Sequence, residues 1–191
     1  MSKIILSADS PCDLSEELIE RYQVNILPLH VILGDTDYLD GVGITVDEIY
    51  QFYDQHHILP KTAAVTPHEY MTFFKKWTEE GYSVIHLSLS SDMSSSYQNS
   101  VLAAQQLGNV YPIDSRNLST GIGLLVLEAA ERIAQGMAVE DIVREVTELR
   151  ENVQASFILN TLEYLHAGGR CSAIAALGAN LLNLKPCIEV D

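Results

Sequence analysis

Val84-Ile85-His86-Leu87, then Ser88-Leu89-Ser90-Ser91-Asp92-Met93-Ser94-Ser95-Ser96, then residues 97–107 read as a strand, a turn and a helix in direct succession. The first run is short and apolar, as a buried strand requires. The helix is expected over 94–107, with Val101, Ala104 and Leu107 on one stripe. The same alternation recurs on both sides. Ile4-Ile5-Leu6 reads as a buried strand, and Asp13-Leu14-Ser15-Glu16 opens a short helix in capping-box style. Residues 24–33 are β-branched and apolar, broken by Pro28 into one or two strands, and residues 35–43 carry turn chemistry. Thr45-Val46-Asp47-Glu48 is a second capping box, starting a helix to about Gln55. Thr66-Pro67-His68-Glu69 combines an N-cap threonine, a proline at the first helical position and a glutamate at N3, and that helix stops at Gly81.

Downstream, residues 110–113 read as a strand, 121–135 and 139–151 as helices. Strands alternating with helices of this length imply an α/β fold with a mostly parallel sheet flanked by helices. The texture changes after residue 152. Phe157-Ile158-Leu159 reads as a strand, 161–167 as a short helix, Gly168-Gly169 as a stop, 172–182 as a small-residue helix and 187–190 as a strand. Two domains are therefore expected: an N-terminal α/β domain over 1–152, and the incomplete beginning of a second over 153–191.

Composition narrows the function. The formal net charge of −15 repels nucleic acid and anionic membrane surfaces at long range, so neither nucleic-acid binding nor stable membrane insertion is expected. Cys12, Cys171 and Cys187 lack metal-ligand spacing and read as reduced thiols. The apolar run after Met1 is too short for a signal peptide, and a soluble, cytoplasmic protein is expected.

In open parallel sheets, ligands sit beyond the carboxyl ends of strands. Four polar loops fall at such places: residues 7–10, 62–66, 88–96 and 114–119. In the third, hydroxyls and helix-terminal N–H groups could hold a carboxylate or phosphate; alternatively the serines cap their own helix. No G-x-S-x-G elbow, P-loop, H-x-x-x-H or C-x-x-C occurs, and His56, His57, His68 and His86 read as surface or core residues. Gly121-Ile122-Gly123 reads as a close packing contact against the sheet. Asp9 and Asp114 read as a metal or acid–base pair, or as loop-closing caps. Gly168-Gly169-Arg170 is a helix stop followed by a cation.

The order of these motifs resembles the DegV family of fatty-acid-binding proteins. Ala8-Asp9-Ser10 with Asp13-Leu14 is similar to its opening T-D-S-x-x-D-L, and Tyr38-Leu39-Asp40-Gly41 to its Y-x-D-G turn. Lys61 to Pro67 resembles K-T-S-Q-P-[ST]-P, and Ser90 to Gln98 resembles S-S-x-L-S-G-T-Y-Q with serine at 95 in place of glycine. Ile113-Asp114-Ser115-Arg116 and the segment 162–186, with its G-G-R, match later blocks. The resemblance implies a two-domain α/β protein that encloses a long-chain fatty acid and needs no cofactor or metal. It implies a carboxylate site at Thr62 and Ser94, with Ser95 beside it and Arg170 at the mouth. It also implies a non-catalytic acyl carrier that presents the carboxylate to an ATP-dependent fatty-acid kinase. The rival expectation is a small-molecule kinase-like or transferase domain related to dihydroxyacetone kinase.

Overall fold

The computed structural model describes residues 3–167 and 185–190. Four strands form one parallel sheet in the order β2-β1-β6-β7: β1 (Ile4–Asp9), β2 (Asn25–Leu27), β6 (Ser83–Ser88) and β7 (Val110–Asp114). Strand β1 pairs with β6 from Ile4↔Ser83 to Ala8↔Leu87, and β6 pairs with β7 from Val84↔Val110 to Ser88↔Asp114. Both faces are covered, as all-parallel strands require. Leu6, Ala8, Ile85, Leu87 and Ile113 point to one side, under helices α5 (Thr120–Ala134) and α6 (Val139–Leu149). Val84 and Val110 point to the other, against α3 (Pro67–Thr78) and α4 (Ser96–Leu107), whose Tyr70, Phe73, Phe74 and Ala103 close that core.

A second sheet, β4-β3-β5, is antiparallel and was not anticipated by the sequence. It comprises β3 (His30–Leu33), β4 (Thr36–Leu39) and β5 (Lys61–Ala63). Residues 36–39, expected as turn, form a strand because the two-residue loop Gly34-Asp35 folds them back onto β3, with Leu33 opposite Thr36. Gly34 has φ +59°, the left-handed conformation such a tight loop needs. Residues 61–63, expected as loop, pair with β3 through Thr62↔Val31. Helix α2 (Val46–His56) packs Ile49 and Phe52 on this sheet.

Both threonine capping boxes form. Thr45 Oγ1 accepts from Glu48 N–H and Thr66 Oγ1 from Glu69 N–H, and each glutamate accepts from the N-cap N–H in return. The first predicted box does not. Asp13 lies at φ +49°, outside the extended region an N-cap occupies, and Ser15 caps α1 (Glu16–Tyr22) by accepting from Leu18 N–H. Helix α4 begins at Ser96, two residues later than expected. After α6, β8 (Ala155–Ile158) pairs antiparallel with β9 (Cys187–Val190), and α7 (Glu163–Ala167) lies between them in sequence. Among the described residues, no helix is long and apolar enough to cross a membrane.

Gly123 has a structural task, though against a different partner from the expected sheet. A Cβ built there would lie 2.7 Å from the Cys12 carbonyl oxygen, in the turn after β1. Alanine favours a helix over glycine by about 1 kcal/mol, but overlap with buried backbone costs about 1–3 kcal/mol. Gly123→Ala is therefore expected to lower the unfolding free energy, and a denaturant titration checks the sign.

Candidate functional site

Strands β1, β6 and β7 end together, and the loops that leave them are bound to one another. Three successive N–H groups of the serine turn are held from outside it. Leu89 donates to Asp9 Oδ2 at 2.9 Å, Ser90 to the Asn117 carbonyl at 3.1 Å and Ser91 to Asp114 Oδ1 at 3.0 Å. Arg116 pairs with Asp92 across the same junction. Ser10 Oγ donates to Asp40 Oδ2 at 2.7 Å and accepts from Leu29 N–H at 3.1 Å, joining the first motif to Tyr38-Leu39-Asp40-Gly41.

Beneath the turn lies a buried polar network. The alternation along β1 and β6 puts Ser7, Asp9, His86 and Ser88 on the α3/α4 face of the sheet, all fully buried. Asp9 Oδ1 accepts from Tyr70 Oη at 2.6 Å and from His86 Nε2 at 3.1 Å, while Ser7 Oγ meets His86 Nδ1 at 2.9 Å. Burial, and after it the Asp9 carboxylate, pushes the Tyr70 phenol far above its ordinary value, so it remains a donor. The rings of Tyr70 and Phe74 stand edge-on to His86 at 5.3 and 5.2 Å. A serine, a histidine and an aspartate thus come together, but inside the core. With no exposed nucleophile, the arrangement is a structural network. Every buried side-chain polar atom among the described residues has a partner.

The two aspartates do not form a pair. Asp9 is committed to Tyr70, His86 and Leu89, whereas Asp114 accepts from Ser91 and Arg116 N–H groups and closes its own loop. Among the described residues, no group of three or more His, Cys, Asp or Glu side chains is placed to hold a metal. His56, His57 and His68 are exposed and His86 is core, as expected.

Of the anticipated head-group residues, Thr62 is exposed on the edge strand β5, Ser94 is half-buried and Ser95 is exposed. Arg170, with the Gly168-Gly169 stop and the 172–182 helix, lies outside the described residues. Ser94 Oγ accepts from Ser96 N–H, the first of α4, at 3.1 Å and contacts Ser96 Oγ at 2.9 Å, while the N-cap residue Ser95 makes no side-chain capping bond. An oxygen that accepts in this way is a stronger donor through its own O–H. Ser95 N–H makes no hydrogen bond among the described residues. The β5–α3 segment and α4 are tied by Asn99 Nδ2, which donates to the Val65 carbonyl at 2.8 Å. Thr62 and Ser94 therefore lie on two segments that the fold fastens together.

Two cavities flank this junction. One, of about 380 Å³, is apolar and walled by Ile49, Tyr50 and Tyr53 of α2, Pro60, and Tyr164 and Leu165 of α7. The Tyr53 and Tyr164 rings meet edge-on at 5.1 Å. Leu59-Pro60, part of its wall, runs straight into β5 and Thr62. The other, of about 440 Å³, is polar and lies between Asp92, Arg116, Arg150 and Glu151. The apolar cavity has no signature in the sequence alone. Ile49 and Tyr53 share one face of α2, but Tyr164 and Leu165 lie more than a hundred residues further along the chain. Nor did the sequence disclose the Tyr70–Asp9–His86 network, although the alternation of Val84, His86 and Ser88 against Ile85 and Leu87 was the available signal.

The comparisons agree with this architecture. The family model described as "Uncharacterised protein, DegV family" matches residues 3–191. A DegV domain-containing protein of Clostridium perfringens is 38% identical over 192 residues, covering 100% of this chain and 69% of that protein. The solved structure of a DegV family protein from Thermus thermophilus, described by its fatty acid binding, is 34% identical. It superposes with a TM-score of 0.87 over 99% of this chain and 68% of the other. A stearic acid-binding protein from Eubacterium ventriosum is 31% identical, with a TM-score of 0.85 over 100% of this chain and 67% of its own. With the motif order, the parallel sheet and the family model in agreement along residues 3–191, this chain belongs to the DegV family.

Proposed function

We propose that this chain binds a long-chain fatty acid with its carboxylate at Thr62, Ser94 and the Ser95 N–H, and its tail in the apolar cavity. The observation that carries this reading is continuity. Pro60 walls the cavity and Thr62 stands two residues further on, about 7 Å along an extended chain. One ligand with an anionic head and an apolar tail would satisfy both. The relatives from Thermus thermophilus and Eubacterium ventriosum, described as fatty-acid binders, support it. Hydroxyl and N–H donors hold a carboxylate without a fixed salt bridge, which leaves it transferable.

In this reading the protein is a cytoplasmic acyl carrier rather than an enzyme, and it uses no cofactor. Residues 1–152 supply the head-group site, and 153–191, the start of a second domain, supplies Tyr164 and Leu165 to the tail wall. The carrier presents the carboxylate to an ATP-dependent fatty-acid kinase, with Arg170 at the mouth steadying charge or engaging the partner.

Thr62→Ala combined with Ser94→Ala is expected to abolish retention of palmitate while the far-ultraviolet circular dichroism stays unchanged. Each charge-assisted hydrogen bond contributes about 1.5–3 kcal/mol. Native mass spectrometry reads the bound lipid, and full retention would remove both residues from the site. Ile49→Asp should weaken palmitate far more than octanoate, since each buried methylene contributes about 0.8 kcal/mol; an equal loss for both would move the tail elsewhere. Arg170→Ala should bind palmitate as wild type does, yet lose most acyl-phosphate formation when paired with a fatty-acid kinase. Unchanged turnover would make Arg170 a surface residue.

A further inference from the structure

The two segments of the proposed head-group site come from different parts of the fold. Thr62 belongs to the antiparallel sheet, whereas Ser94 belongs to the turn that leaves the parallel sheet. Their separation decides whether one carboxylate can reach both hydroxyls, and two ties set it. The first runs through Asp9. One carboxylate oxygen accepts from Tyr70 Oη, on the helix that follows the Thr62 segment, and the other accepts from Leu89 N–H, at the start of the Ser94 turn. The second is the hydrogen bond from Asn99 Nδ2 to the Val65 carbonyl. Resting on the head-group reading above, we propose that Asp9, Tyr70 and Asn99 are positioning residues that fix the Thr62–Ser94 spacing and so set the selectivity of the site for a carboxylate.

None of the three needs to touch the ligand. Asp9 and Tyr70 are fully buried, and Asn99 spends its amide on the Val65 carbonyl. The geometry explains why a carboxylate, and not a neutral side chain, stands at the end of β1. A donor arrives at each of its oxygens from a different element, and His86 Nε2 supplies a third bond that keeps the group from turning. Removing the Tyr70 hydroxyl alone leaves the ring against Phe74 and His86, so the core keeps its volume while the tie is cut.

The test measures the ratio of affinities for palmitate and for hexadecanol, which has the same tail without the carboxylate's paired acceptors. Full chains of wild type, Tyr70→Phe, Asn99→Ala and Ser94→Ala are compared. Wild type should prefer the acid, and Tyr70→Phe should cut that preference about tenfold with its cooperative melting retained. Asn99→Ala, at a half-buried position outside the network, should do the same and carries the test if Tyr70→Phe does not fold. Faster amide hydrogen exchange over residues 89–96 should accompany the loss. Folded variants that keep the wild-type ratio would overturn the proposal. So would equal weakening of acid and alcohol, which would mark a general structural role. If wild type shows no preference for the acid, or Ser94→Ala keeps it, the head-group reading itself fails, and the positioning role falls with it on a separate arm.

Discussion

The Asp9 carboxylate is the interaction on which the rest of the molecule depends. An ionised carboxylate removed from water without partners costs several kcal/mol, and that cost is offset only when its acceptor sites are filled. Here Tyr70 Oη, His86 Nε2 and Leu89 N–H fill them from three separate elements. The arrangement also pins the sheet. Ser7 and His86 are direct partners in the β1–β6 ladder, and their side chains bond to each other. A one-residue slip would send Asp9 to the α5/α6 face, among Ile85, Leu87 and Ile122, where it would meet no donor. The polar stripe therefore specifies register as well as stabilising it.

Much of this fold was legible because its signals are local. Thr66-Pro67-His68-Glu69 announces a helix start that the structure reproduces bond by bond, and the apolar runs at 4–6, 84–87 and 110–113 all form strands of the parallel sheet, the middle one buried throughout. What failed depended on pairing. Thr36-Asp37-Tyr38-Leu39 and Lys61-Thr62-Ala63 have weak strand character of their own and become strands only because β3 offers them a ladder. The site divides in the same way. The polar loops and the serine turn could be read directly, whereas the apolar cavity needs α2 and α7 brought together across more than a hundred residues. His86 was read correctly as a surface or core residue, but its partners Ser7 and Asp9 lie nearly eighty positions away.

In the head-group reading, Ser94 shows how one group can serve both a helix terminus and a ligand. Its oxygen accepts from Ser96 N–H and its hydroxyl pairs with Ser96 Oγ, so its proton can turn to a ligand when Ser96 is the donor of that pair. The two readings of the serine turn were therefore compatible from the start: the lone pair serves the helix and the O–H bond can serve an anion. The outer N–H groups of Leu89, Ser90 and Ser91 are consumed by the scaffold. In the proposed head-group site, that leaves the last residues before α4 to meet the carboxylate, close to the positive end of the helix dipole.

The antiparallel sheet ends in two short edges. An edge strand offers unpaired backbone groups to any neighbouring chain, and long apolar edges recruit one another into aggregates. Strand β5 is only three residues long, is preceded by Pro60 and opens on the cation of Lys61, while β4 carries Asp37. Each device discourages a foreign strand from docking, and the net charge of −15 adds mutual repulsion between copies. The exposed strand that carries Thr62 is thereby kept from becoming a template for self-association.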